Sequence, residues 1–200
     1  MRRQLFAIQA SIILLLGATI QAAPPVTTTP APPTRAYTAA ATPAQPGIDV
    51  SGLFSVNKAQ PGSVLQGAVI LRIPDGYHIN SNRPTNKFMI PTSVRVFPPR
   101  GVRVGPVRYP RANVRSFGFA PDERLPVFEG APAMRFDVTV PAGFKQDKLR
   151  MRVVVAYQAC SDETCFRPAE RDITLSLDVA GADEEVQRVN GHIFGRGRRR

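Results

Sequence analysis

The sequence predicts an all-β protein, an immunoglobulin-like antiparallel β-sandwich, and three observations predict it. Apolar residues recur with period two: Met134, Phe136, Val138 and Val140 alternate with Arg135, Asp137 and Thr139. Successive side chains of a strand point to opposite faces, so this alternation describes strands buried on one side. Turn residues separate the runs, as in Pro61-Gly62, Pro74-Asp75-Gly76, Pro98-Pro99-Arg100-Gly101 and Pro141-Ala142-Gly143. Between them no amphipathic helix of ten residues occurs. Twenty prolines and fifteen glycines in 200 residues also argue against helical bundles, and an apolar fraction of 43% is ample for one core.

The elements follow in chain order. Residues 1–22 read as a secretory signal: Met1-Arg2-Arg3 is a basic start, Leu5 to Ile20 is apolar, and Gln21-Ala22-Ala23 offers small residues for cleavage after Ala22. The apolar stretch is shorter than the ~20 residues that cross a bilayer. Residues 23–47 are a linker rich in Pro, Thr and Ala, with Arg35 its single charge. Such a segment buries too little apolar area to offset its ordering entropy and stays extended. The domain spans residues 48–180. Its clearest strands are Val64–Ile73, Val94–Phe97, Val102–Tyr109, Met134–Val140, Leu149–Tyr157 and Ile173–Val179. About seven short strands in some 130 residues fit two packed sheets. Residues 181–200 read as a disordered tail ending in Gly195-Arg196-Gly197-Arg198-Arg199-Arg200.

Net charge is +11, but residues 48–180 hold 18 Lys and Arg against 12 Asp and Glu. Arg95 and Arg103 alternate with valines, as the solvated face of a strand would. Basic groups interleaved with exposed aromatics are missing, so nucleic acid is not an expected partner.

The two cysteines, Cys160 and Cys165, lie in Tyr157-Gln158-Ala159-Cys160-Ser161-Asp162-Glu163-Thr164-Cys165-Phe166-Arg167-Pro168, the connection between the last two strands. With His78 and His192 they fit no zinc-finger spacing, and no cofactor is expected. An exported chain meets an oxidising compartment, where such a pair can bond. The six-residue ring so closed would stabilise the fold by only ~2 kcal/mol, against about 4.7 for a ring of 100 residues. A domain with its own core hardly requires that, and a short exposed loop leaves sulfur open to a partner thiolate. Spacing alone leaves open a structural bridge, a redox pair and, more remotely, a soft-metal site of Cys160, Cys165 and His78. Low-pKa attacking cysteines favour C-x-x-C at a helix N-terminus, which is absent, so a pair here suits a passive relay.

Tyr157-Gln158-Ala159-Cys160 followed by Cys165 and Pro168 resembles the Y-Q-[GA]-C…C…P signature of the N-terminal periplasmic domain of DsbD thiol:disulfide interchange proteins. Pro74-Asp75-Gly76-Tyr77-His78-Ile79-Asn80-Ser81-Asn82-Arg83-Pro84 resembles that family's D-G-Y/W-H-I-x-S-N-x-P segment. Phe117-Gly118 with Leu125-Pro126-Val127-Phe128-Glu129-Gly130 is a weaker match. The resemblance implies an immunoglobulin-like sandwich that passes reducing equivalents between envelope proteins. It puts the redox pair at Cys160 and Cys165, a shielding cap aromatic at Phe117, and a site lining at Tyr77 and His78, with Tyr157 and Gln158 leading into the pair. Expected partners are thioredoxin-like or other envelope thiol proteins and a separate membrane electron donor. Any enzyme class would be that of a protein-disulfide reductase. Of the two sulfurs, Cys160 is expected to attack and Cys165 to leave or resolve. The competing expectation is a non-catalytic binding sandwich whose disulfide pins a hairpin.

Overall fold

The computed structural model describes residues 45–195. The signal segment, most of the linker and the last five residues lie outside them. Strand formation is clearest where alternation is longest. β9 (Lys148–Tyr157) buries Leu149, Met151, Val153, Val155 and Tyr157, and pairs antiparallel along its whole length with β11 (Ala169–Asp178), from Tyr157 opposite Ala169 to Lys148 opposite Asp178. β4 (Ser93–Phe97) pairs with the other edge of β9, giving the sheet β11-β9-β4.

The facing sheet has the order β1-β2-β8-β5, built from β1 (Asp49–Phe54), β2 (Val64–Arg72), β8 (Ala133–Thr139) and β5 (Arg103–Val104). β8 buries Met134, Phe136 and Val138, and β2 buries Leu65, Val69 and Leu71. One apolar cluster joins these side chains to those of β9 and β11. The layers approach closely at Gly52, where a Cβ would lie 2.4 Å from the Leu175 side chain and would force that side chain to shift. These sheets form the predicted sandwich.

A third sheet, β10-β3-β7-β6, is set against the end of the sandwich. It comprises β3 (His78–Asn80), β6 (Asn113–Phe117), β7 (Ala120–Phe128) and the two-residue β10 (Ala159–Cys160). β6 and β7 form a hairpin under a small cluster of Phe117, Leu125 and Val127, with Met89, Phe119 and Ala120 packed on it.

Two expectations change. The strand expected over Val102–Tyr109 shrinks to Arg103–Val104 plus an isolated bridge from Arg108 to Arg135, because Gly105-Pro106 interrupts the ladder and Pro lacks an N–H to donate. Residues 181–195, which composition reads as free tail, turn back along the start of the domain. Asn57 N donates to Gln187 O (3.0 Å), Val189 N to Ser55 O (2.9 Å) and Asn190 Nδ2 to Phe54 O (2.8 Å). A single helical turn, α1 (Gly191–Phe194), follows. Backbone pairing rather than apolar burial holds this segment, so hydropathy gives no sign of it. Among the described residues no helix is long and apolar enough to cross a membrane.

Candidate redox site

The site begins where β9 leaves the sandwich. Tyr157 is the last residue of β9, and two residues later Ala159 and Cys160 pair with Ile79 and His78 of β3. The chain then reverses. Ser161 N donates to Thr164 O (2.8 Å), and the Ser161 hydroxyl accepts from the backbone N–H of Glu163 and Thr164 (3.3 and 3.2 Å). A serine that bonds the next backbone amides is a local turn former. Past the turn, Phe166 N donates to Ala159 O (2.8 Å), and Cys165 stands opposite Cys160 in a β-bridge. The two sulfurs are bonded at 2.04 Å. Cys160 is fully buried, while Cys165 is partly exposed.

The tip of the β6–β7 hairpin is bonded to this turn. Gly118 N at its tip donates to Asp162 O (2.9 Å). A Cβ on Gly118 would lie 3.1 Å from that oxygen, so glycine permits the approach. Phe117 is buried, and its ring stacks on the His78 imidazole, 3.8 Å between centroids and 14° between planes. Phe119 continues the stack 5.5 Å from Phe117.

His78 is 1% exposed, and its Nε2 has no hydrogen-bond partner. Burial disfavours the imidazolium and lowers its pKa to about 4; Glu129 and Asp162 oppose the shift and Arg115 adds to it. Gln158 is a three-way clasp: its Oε1 accepts from Asn80 Nδ2 (3.1 Å) and Ile90 N (3.2 Å), and its Nε2 donates to Phe166 O (3.1 Å). Tyr77 packs its ring against Phe166 at 5.8 Å. Tyr157 belongs to the sandwich core. Burial raises its pKa against the pull of Arg171, whose guanidinium lies 5.9 Å from its ring centre.

The fold thus gathers Cys160, Cys165, His78, Phe117 and Gln158 at one end of the third sheet, with Tyr77 beside the Cys turn through Phe166. Sequence reading passed over Asn80, Phe119 and Phe166. Phe119 was visible as the second aromatic of a Phe-Gly-Phe turn, and Asn80 as the residue two along from His78 on the same strand face. Among the described residues no group of three or more His, Cys, Asp and Glu is assembled to hold a metal ion.

Residues 50–177 match the family model described as thiol:disulfide interchange protein DsbD, N-terminal. The chain belongs to that family. With the bonded cysteine pair, membership identifies a thiol–disulfide interchange domain of DsbD N-terminal type. Two similar solved structures are of this kind. The Neisseria meningitidis DsbD N-terminal domain, in the reduced form, is 15% identical with a TM-score of 0.41, over 70% of this chain and 88% of that one. The N-terminal periplasmic domain of ScsB from Proteus mirabilis is 12% identical with a TM-score of 0.42, over 68% of this chain and 49% of that one. No curated protein matches the chain.

Proposed function

We propose that this DsbD N-terminal-type domain is an exported, periplasmic interchange module that relays reducing equivalents between envelope proteins through Cys160 and Cys165. Residues 1–22 are its signal peptide, 23–47 its spacer and 48–180 its working domain. The carrying observation is the asymmetry of the pair: one disulfide whose Cys160 is fully buried and whose Cys165 is partly exposed, in a turn bonded to the hairpin that carries Phe117. A bridge kept only for stability has no use for such an arrangement, since a ring this small contributes ~2 kcal/mol.

Burial supports the reverse of the sulfur roles expected from sequence. A thiolate of an incoming donor attacks Cys165 Sγ. The Cys160–Cys165 bond breaks, and Cys160 leaves with the electron pair and takes a proton. The donor's second thiolate then displaces Cys165, so the donor becomes a disulfide and the domain a dithiol, with two electrons and two protons transferred. Toward an acceptor disulfide the steps reverse: Cys165 attacks, and Cys160 resolves the mixed disulfide. A thioredoxin-like protein on one side and a membrane electron donor on the other suit these steps.

The test is the potential of the pair, by equilibration against a thioredoxin-type redox couple. The expected value lies between about −120 and −270 mV, where exchange proteins sit. A value below about −300 mV is that of a structural bridge and overturns the proposal. Cys160→Ser, which leaves Cys165 free, should trap the donor or acceptor as a mixed disulfide.

A further inference from the structure

His78 lies across the ladder from Cys160, its ring under Phe117, and the interchange reading alone gives its imidazole nothing to do. The register settles where it stands. Residues opposite each other in an antiparallel pair share a face, and so do residues two positions apart along one strand. On the neighbouring rung of that face, Asn80 Nδ2 reaches Gln158 Oε1 at 3.1 Å, so side chains at this separation meet across the pair. The His78–Cys160 rung therefore puts the imidazole on the same face of the pair as the buried Cys160 side chain. Its Nε2 is buried without a partner. An unmade bond of this kind ordinarily carries a cost, and a disulfide sulfur has no proton to offer it. A free Cys160 thiol does.

We propose that His78 is the proton acceptor for Cys160, taking the Sγ proton when Cys160 resolves a mixed disulfide held on Cys165. The inference rests on the interchange reading above. In that step Cys160–SH loses its proton to His78 Nε2, and Cys160 Sγ attacks Cys165 Sγ. The bond between Cys165 and the acceptor breaks, the acceptor leaves as a thiolate, and the Cys160–Cys165 disulfide forms. The acceptor's former disulfide is reduced by two electrons and the domain's dithiol is oxidised by two. The imidazolium then gives up its proton to the departing thiolate or to solvent.

The surroundings suit a transient charge. Glu129, just past the end of β7, and Asp162, in the Cys turn, both favour the imidazolium; Arg115 opposes it but is paired with Glu129 at 3.3 Å. Burial disfavours the imidazolium, so at neutral pH the base carries no proton to block acceptance. A thiolate formed on the same face favours the protonated form of the imidazole, as cysteines paired with imidazole show generally.

The experiment uses the full exported chain, reduced and mixed with 5,5′-dithiobis(2-nitrobenzoate), in wild type, His78→Phe and His78→Gln. Phenylalanine keeps a ring to stack on Phe117; glutamine keeps a hydrogen-bond acceptor that cannot hold the proton. Attack by Cys165 releases the first nitrothiolate and resolution by Cys160 the second. At pH 7 the second phase should slow at least tenfold in both variants, while the first stays within twofold. Between pH 8 and 6 the wild-type second phase should change less than about threefold, whereas both variants should lose about tenfold per pH unit, as an unaided thiol does. A second phase of wild-type rate and pH profile in either folded variant overturns the proposal. So does wild-type behaviour restored by glutamine alone, which would mark a hydrogen-bond role. The interchange reading fails separately, when the wild-type pair does not exchange with a thioredoxin-type couple.

Discussion

The two facing sheets of the sandwich and the small sheet that bears the cysteines are held together by different physics. In the sandwich the buried side chains of β2, β8, β9 and β11 are apolar but for the Tyr157 hydroxyl at the end of β9, and they form one cluster. Among the described residues His78, Asn80, Ser81 and Thr92 are buried polar side chains, and all four belong to β3 or to the segment bonded to it. Thr92 Oγ1 donates to Asn80 O (2.5 Å) and Thr92 N to Ser81 O (3.1 Å). Apolar packing is non-directional and repairs itself in part; a buried polar group must find its partner at one distance and angle. The scaffold is therefore built for stability, and the site is built for position.

Removing a large core side chain tests this division most severely. Phe136 is fully buried, and its ring lies over Gly67, where a Cβ would come within 2.5 Å of it. Phe136→Ala should cost about 3–5 kcal/mol of stability in urea unfolding. Under conditions where the variant is folded, the exchange rate of Cys165 should be unchanged. A parallel fall in exchange rate would mean that sandwich packing sets the site geometry, and the division would be wrong.

Acid provides the complementary test, because it acts on the small sheet. The folded-state pKa of His78, about 4, is below the ordinary value of 6.5. The unfolded chain thus binds the extra proton first as pH falls, and stability is lost between about pH 6.5 and 4. The loss should reach about 2–3 kcal/mol by pH 4. Asp137, whose carboxyl Arg108 holds below the usual range, contributes only at lower pH still. Urea unfolding at pH 7, 5 and 4 should show this slope in wild type and not in His78→Phe. An equal slope in both would place the titration elsewhere.

What the sequence disclosed follows the same line. β8, β9 and β11 were legible because each has one buried and one wet face, and alternation reports that directly. The β6–β7 hairpin was not: Asn113, Val114, Arg115 and Ser116 are all exposed, so no period appears before Phe117. The Cys pair, His78 and Phe117 could be named through the family's motifs, since those residues carry distinctive chemistry. The difference in burial between the two cysteines could not, because burial of Cys160 depends on pairing with β3, remote in sequence. The clasp made by Gln158 was equally hidden. It joins Asn80, Ile90 and Phe166, and a glutamine reads locally as a surface residue.

That clasp gives the finest test of the comparison. Gln158→Ala removes three hydrogen bonds, but Asn80 Nδ2 keeps its bond to Ile90 O (3.0 Å), and Ile90 is exposed enough for water to replace the lost partner at its N–H. The net cost should therefore be about 1–2 kcal/mol, well short of three separate bonds. Most of it should be local. Amide exchange at Ile90 and Phe166 should quicken while the β9 and β11 amides stay protected, since sub-global opening of the small sheet leaves the sandwich intact. Looser support for the Cys turn should also speed reagent attack at Cys165 severalfold. If the β9 and β11 amides lost protection equally, the small sheet and the sandwich would be one cooperative unit, and polar positioning of the site would be inseparable from the stability of its scaffold.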